Sequence, residues 1–205
     1  RYYPQTTSYD YDAALNESGR LTPKYFAFRD VIARHLKTSL PVVPASEAPI
    51  AIPPFQIDPV GPLWLLLGKG QAAEFPRSME SFGQSYGYIL YRTTLPSPAR
   101  GELVIRDVRD YAQVYLNGSP AGTIDRRLNQ DRLPINGPFA GARLDILVEN
   151  SGRVNFNKPM REERKGITRA VLLNDQEVTG WTVFTLPMPG PPPPARAHSG
   201  TADVF

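Results

Sequence analysis

Tyr111-Ala112-Gln113-Val114-Tyr115-Leu116-Asn117-Gly118-Ser119-Pro120-Ala121-Gly122-Thr123-Ile124 reads as two extended arms about a two-residue turn. Asn-Gly is a strong short hairpin signal, because a type I′ turn needs positive φ at both central residues and these two tolerate it. In the first arm Ala112, Val114 and Leu116 fall at every second position, so they share one face. A slip of one residue would turn that set to water, so the pairing is well specified.

Outward from this hairpin the pattern stays β. Upstream, Tyr86, Tyr88, Leu90 and Arg92 alternate with Gly87, Ile89, Tyr91 and Thr93, and Pro96-Ser97-Pro98 closes the run. Glu102-Leu103-Val104-Ile105-Arg106 follows. Downstream, Arg143 to Glu149 alternates until it meets Asn150-Ser151-Gly152, and Ile167 to Leu173 and Trp181 to Leu186 read as two more strands. Leu63-Trp64-Leu65-Leu66-Leu67, ended by Gly68 and Gly70, reads as a short strand as well. Short strands separated by frequent turns, with no helical pattern after residue 40, predict an antiparallel sandwich over residues 63–187.

The first forty residues differ. Thr6, Thr7 and Tyr9 favour extended chain, and Asp10, Asp12, Asn16 and Gly19 favour a loop. A helix is then predicted from Pro23, with Thr22 at the N-cap and proline where its missing N–H costs nothing. Phe28, Val31, Ile32, His35 and Leu36 recur at helical spacing. Residues 1–40 are thus one βα unit, which cannot bury its apolar face alone; a (β/α)8 barrel takes eight such units. Residues 41–62 are a proline-rich linker, with a proline-motif ligand as the weaker alternative, and residues 188–205 are a proline-rich tail.

Composition narrows the function classes. The chain has 205 residues, 41% of them apolar and 21% charged, as in ordinary globular proteins. The net charge is +3, with Lys and Arg scattered, so no nucleic-acid partner is expected. No apolar run is long enough to span a membrane, and no membrane partner is expected. There are no cysteines, which removes thiol catalysis and cysteine metal sites. The two histidines, His35 and His198, lie far apart, so no metal site and no cofactor are expected.

Thr7-Ser8-Tyr9-Asp10-Tyr11-Asp12-Ala13, with Glu17, Gly19 and Lys24-Tyr25-Phe26-Ala27-Phe28-Arg29, resembles the last βα unit of the family 35 glycoside hydrolases. These are β-galactosidases built on a barrel followed by β-sandwich domains. The resemblance continues in order through Tyr86 to Leu95, Leu144 to Phe156, Lys165-Gly166-Ile167 and Trp181 to Pro187. Ala14 stands where the family usually has proline. The resemblance implies a mainly β chain, a galactose-binding-like jelly roll preceded by one terminal βα unit of a TIM barrel. It implies a portion of an enzyme that releases terminal non-reducing β-D-galactose by a retaining two-carboxylate mechanism. Its partners would be a β-galactoside sugar and, in the same enzyme, the remaining barrel and a C-terminal β-domain. The family suggests a secreted, periplasmic or lysosomal setting. It also makes this sequence a middle section of that enzyme. The alternative is a non-catalytic module that binds carbohydrate or braces another domain.

Retaining hydrolysis needs two carboxyl groups about 5 Å apart. The family's acid/base glutamate lies in an Asn-Glu-Tyr context, and this chain has only Asn16-Glu17-Ser18, so no catalytic residue is assigned and the chain alone is expected to be inactive. Asp10 and Asp12 are better read as residues that hydrogen-bond the local backbone than as a catalytic pair. By resemblance, Tyr11 lines the galactose pocket and is the one substrate-binding residue assigned, while Tyr9 and Asp10 support the loop. Arg153 and Asn155 read as a clamp on a turn before a sugar-binding loop, and Trp64 and Trp181 as core before stacking platforms.

Overall fold

A computed structural model describes residues 12–46, 48–54, 63–96, 98–137 and 141–190. The chain divides into two compact units, one over Pro4–Ile57 and the other essentially Asp58 onward. The expected strand at Thr6 to Tyr9, Tyr11 itself, and the tail from 191 with His198 lie outside the described residues.

In the first unit, α1 runs over Pro23–His35 with Pro23 in its first turn. Thr22 sits at the N-cap with extended backbone, but its hydroxyl does not cap the helix. It donates instead to the carbonyls of Ala13 (2.8 Å) and Ala14 (3.1 Å), tying the preceding loop to the helix start. None of the helix's residues is buried.

The second unit is a β-sandwich. Its strands are β1 (Gln71–Ala73), β2 (Tyr88–Thr94), β3 (Arg100–Ile105), β4 (Val108–Arg109), β5 (Tyr111–Leu116), β6 (Ser119–Asp125), β7 (Arg132–Asn136), β8 (Arg143–Glu149), β9 (Gly166–Ile167), β10 (Val171–Leu173), β11 (Gln176–Glu177) and β12 (Trp181–Leu186). A six-stranded sheet has the order β1-β12-β2-β8-β5-β6, a four-stranded sheet the order β11-β10-β3-β7, and β4 pairs with β9. Every pairing is antiparallel. The β5–β6 hairpin turns at Asn117 (φ 52°) and Gly118 (φ 87°), as the sequence predicts, but its register shifts by one residue between Val114 and Tyr115, an irregularity the alternation did not foretell.

Period-two alternation builds the core between the sheets. Ile89 and Tyr91 of β2, Ala112 and Val114 of β5, and Leu144, Ile146 and Val148 of β8 meet Leu103, Ile105, Leu133, Ile135, Val171 and Leu173 of the smaller sheet. Leu116 packs on the same cluster, so the predicted face of β5 is correct. Trp181 is 1% exposed and belongs to this core.

Two expectations need correction. Leu63–Leu66 is a short 3-10 helix, not a strand. Leu63, Trp64, Leu66 and Leu67 all pack on Leu90, Tyr115, Leu147 and Leu186 on the outer face of the large sheet, while Leu65 is 66% exposed. Four contacts in five positions are the footprint of a helical turn, whereas a strand would turn alternate residues away. Nor is Ile167 to Leu173 one strand: Ile167 pairs with Val108 and Leu172 with Val104, in different sheets. Between them Thr168 donates to the Asp107 carbonyl (3.1 Å), which fixes the corner where the chain changes sheets.

Candidate functional site

The loop that follows Tyr11 is held from several directions. Asp12 has φ 80°, and Lys24 Nζ reaches back from α1 to both its carbonyl and its carboxylate, each at 2.7 Å. Asn16 Oδ1 accepts from the Ser18 N–H, the Ser18 hydroxyl and the Arg20 N–H. Leu15 and Leu21 form a bridge across the loop's base. Loop closure therefore falls to Asn16, and no hydrogen bond joins Glu17 to the loop or the helix among the described residues. The Asp12 carboxylate accepts from the Lys24 ammonium and, among the described residues, not from a local backbone N–H as expected, while Asp10 lies outside the described residues. The bonds anchor the residue directly after Tyr11 to the first turn of a helix.

The sandwich contains the densest charge in the described structure, and local sequence patterns give no sign of it. Lys165, 0% exposed, places Nζ 2.6 Å from Asp110 Oδ2 and 2.8 Å from Glu163 Oε1. The first contact is a hydrogen bond; the second is off the hydrogen-bonding direction and acts as a charge pair. Arg126 donates to Asp110 Oδ1 (2.8 Å), the Ser151 N–H donates to Asp110 Oδ2 (3.2 Å), and Arg109 lies 3.6 Å from Glu163. Arg109 also grips Asp107 through Nε (3.1 Å) and Nη2 (2.9 Å). Burial pushes the Asp107 carboxyl up, but hydrogen bonds from Arg109 and Thr168 outweigh it and hold the group below the usual carboxylate range.

Three cations, Arg109, Arg126 and Lys165, thus face three carboxylates, Asp107, Asp110 and Glu163, and the exposed Arg169 reaches Asp107 from the rim at 4.0 Å. Asp110 and Glu163 have side chains only 2% and 5% exposed, so they cannot flank a glycosidic bond. The arrangement locks β4, β9 and the chain leading into β9 together; it is a brace and not a reaction centre.

Arg153 is the expected clamp. Its guanidinium donates to the Ser85 carbonyl through Nε (3.1 Å) and Nη2 (2.7 Å), and pairs with Glu80 at 2.6 Å. Burial pushes Glu80 up, but hydrogen bonds from backbone N–H groups, Arg153 and Ser78 bring it below its ordinary value. Asn155 makes no side-chain hydrogen bond with the other described residues. Trp64 packs edge-on against Tyr115, with ring centroids 5.2 Å apart. Among the described residues there is no cluster of metal-ligating side chains, and no helix is long and apolar enough to cross a membrane.

The geometry is that of an all-β unit braced by internal charge, preceded by a loop stapled to one helix. Comparison with known proteins gives both parts a counterpart. A family model described as "Beta-galactosidase, first all-beta domain" matches residues 76–187, and one described as "Glycosyl hydrolases family 35" matches residues 1–35. A protein named beta-galactosidase from Xanthomonas manihotis is 46% identical over 93% of this chain. Beta-galactosidases from Mus musculus and Homo sapiens are 40% and 39% identical, each over 90% of it. The chain spans 32%, 30% and 28% of the lengths of these three curated relatives. It belongs to the glycosyl hydrolase family 35 β-galactosidases and carries their first all-beta domain.

Proposed function

We propose that this chain is the portion of a β-galactosidase that supplies one rim of the sugar pocket and a sandwich bracing the catalytic barrel. The observation carrying this reading is the order of the two family matches, residues 1–35 before residues 76–187, along a single chain. In this reading residues 1–40 close the barrel, 41–62 link it to the sandwich at 63–187, and 188–205 lead on to a further β-domain. The intact enzyme cleaves terminal non-reducing β-D-galactose with retention. One carboxylic acid protonates the leaving oxygen, and a second carboxylate attacks the anomeric carbon. Neither group is assigned within this sequence.

Tyr11 contacts the galactosyl group in this reading, its phenol donating to the sugar or to the attacking carboxylate. The Lys24–Asp12 staple supports this role, because it pins the residue next to Tyr11 to a helix. Tyr11→Phe in the intact enzyme removes one hydrogen bond and little volume. A bond to a charged partner is worth roughly 1.5–3 kcal/mol. The expected loss in kcat/KM is therefore about ten- to a hundredfold, at unchanged Tm. Tyr9→Phe should lose less. Full activity in Tyr11→Phe, or a loss that only follows stability, would make Tyr11 a packing residue.

A further inference from the structure

A hollow of about 180 Å³ in the sandwich unit is lined by the run Phe82 to Tyr86 together with Thr185 and Pro187. Tyr86 is 54% exposed, an aromatic ring held at a rim and not drawn into the core. The hydroxyls of Ser85, Tyr86 and Thr185 have no hydrogen-bond partner among the described residues. We propose that this hollow is a subsite for a single neutral pyranose ring, with Tyr86 as its stacking face and the three hydroxyls as its polar contacts.

The rim is built before any ligand arrives. Gln84, 4% exposed, donates through Nε2 to the carbonyls of Tyr86 (2.6 Å) and Tyr88 (2.7 Å), and its Oε1 accepts from the Leu186 N–H (3.2 Å). From the other side, the Ser85 carbonyl accepts from Asn150 Nδ2 (3.0 Å) and from the Arg153 guanidinium. Gly87 follows at φ 83°, where a Cβ would come within 2.4 Å of the Leu186 carbonyl oxygen, so the turn presenting Tyr86 requires glycine. A rim fixed in this way loses little entropy when a ligand binds.

The chemistry selects the ligand class. A pyranose has an apolar C–H face that packs on an aromatic ring and an edge of hydroxyls that both donate and accept; the Tyr86 ring and three hydroxyls complement both. None of the residues lining the hollow carries a charge, and Arg153, bonded to the Ser85 carbonyl, is paired with Glu80 at 2.6 Å, which favours a neutral ligand. The hollow falls below the roughly 300–1,000 Å³ of ordinary small-molecule pockets, so it suits one ring held weakly.

The test is a two-dimensional amide NMR titration of the 205-residue chain with methyl β-galactopyranoside, methyl β-glucopyranoside and methyl α-mannopyranoside, with glycerol as the polyol control. At least one pyranoside should give saturable shifts centred on Gln84, Ser85, Tyr86 and Thr185, and glycerol should not. Tyr86→Ala should weaken that binding about tenfold. It leaves the fold intact, because Gln84 bonds to the Tyr86 carbonyl and not to its ring. Thr185→Ala should weaken it severalfold. The subsite is overturned if no pyranoside saturates, if glycerol gives the same response, if the shifts centre elsewhere, or if binding survives Tyr86→Ala. None of these readouts depends on hydrolysis, so the result is independent of the role proposed for Tyr11.

Discussion

The sandwich and the helical unit carry apolar patterns of similar quality, yet they end in opposite states. In the sandwich, Ile89, Ala112, Leu144, Ile146 and Val183 are 0% exposed. In α1, Phe28, Val31 and Ile32 are all about half exposed, and no residue is buried. The difference lies in where the partner surface is encoded. Each inner face of the sandwich meets the other sheet of the same unit, so that Tyr91 and Ile146 of the larger sheet share one core with Leu103 and Ile135 of the smaller. Within the described residues of its own unit, α1 has no such surface. Amphipathic spacing announces a demand for burial; only a complementary surface satisfies it.

Core truncation gives the sharpest break between the two regions. Trp181→Ala removes a ring that is 1% exposed, packs edge-on against Tyr91 and donates to the Val178 carbonyl at 2.9 Å. A loss of about 3–5 kcal/mol is expected in denaturant unfolding. Ile32→Ala in α1, from a half-exposed site to the best helix former, should stay within about 0.5 kcal/mol. Equal effects would mean that α1 is buried in solution and would erase the contrast.

Lys165→Met tests the brace. It leaves Asp110 and Glu163 buried without the ammonium that both contact, with Arg126 as their remaining common cation, and breaking such a group by removing one partner costs about 3–5 kcal/mol. Thermal unfolding should show the loss in the sandwich alone. A neutral or stabilising result would mean that the cluster relaxes or takes in water.

Acid should separate the regions next. The folded values of Glu80 and Asp107 are depressed, so each contributes stability that is fully present above the unfolded carboxylate range, near pH 4. That stability is lost as pH falls through the depressed folded values. The Tm of the sandwich should hold from neutral pH down to about pH 5 and then fall, with a shallower fall in Glu80→Gln. An unchanged acid slope in that variant would remove Glu80 from the account.

The smallest effect belongs to the loop. Lys24→Met deletes an exposed pair, worth about 0–1 kcal/mol. Global stability should barely change, while amide exchange over residues 13–20 should quicken, since that segment is tied to α1 chiefly by Lys24 and Thr22. Unchanged exchange would leave Thr22 as the sole tie.

Much of the fold is legible in the sequence where the signal is short-range. The Asn117-Gly118 turn, the alternation of β8 and the Pro23 start of α1 each depend on φ preferences or spacings within a few residues. The clamp at Arg153 was legible as a polar residue just past a strand's end, though its acceptor, Ser85, was not. At 63–67 an all-apolar pentad fits a strand or a helical turn equally. The outer face of the large sheet, with Leu90, Tyr115, Leu147 and Leu186, selected the turn. At 166–173 the residues suit a strand throughout, but the pairing edges belong to two sheets.

By itself, then, the sequence determined the strand periodicities, the hairpin turn, the helix start and the family. Tertiary structure alone decided that Lys165 lies at 0% exposure. Nothing beside it in the chain marks a lysine for burial. Its carboxylate partner Asp110 is 55 residues away, and Arg126 is brought to the same carboxylate by a separate strand connection. A charge can leave water only when opposite charges and hydrogen bonds are assembled around it. That assembly is a property of the folded sheets and of no local stretch of chain.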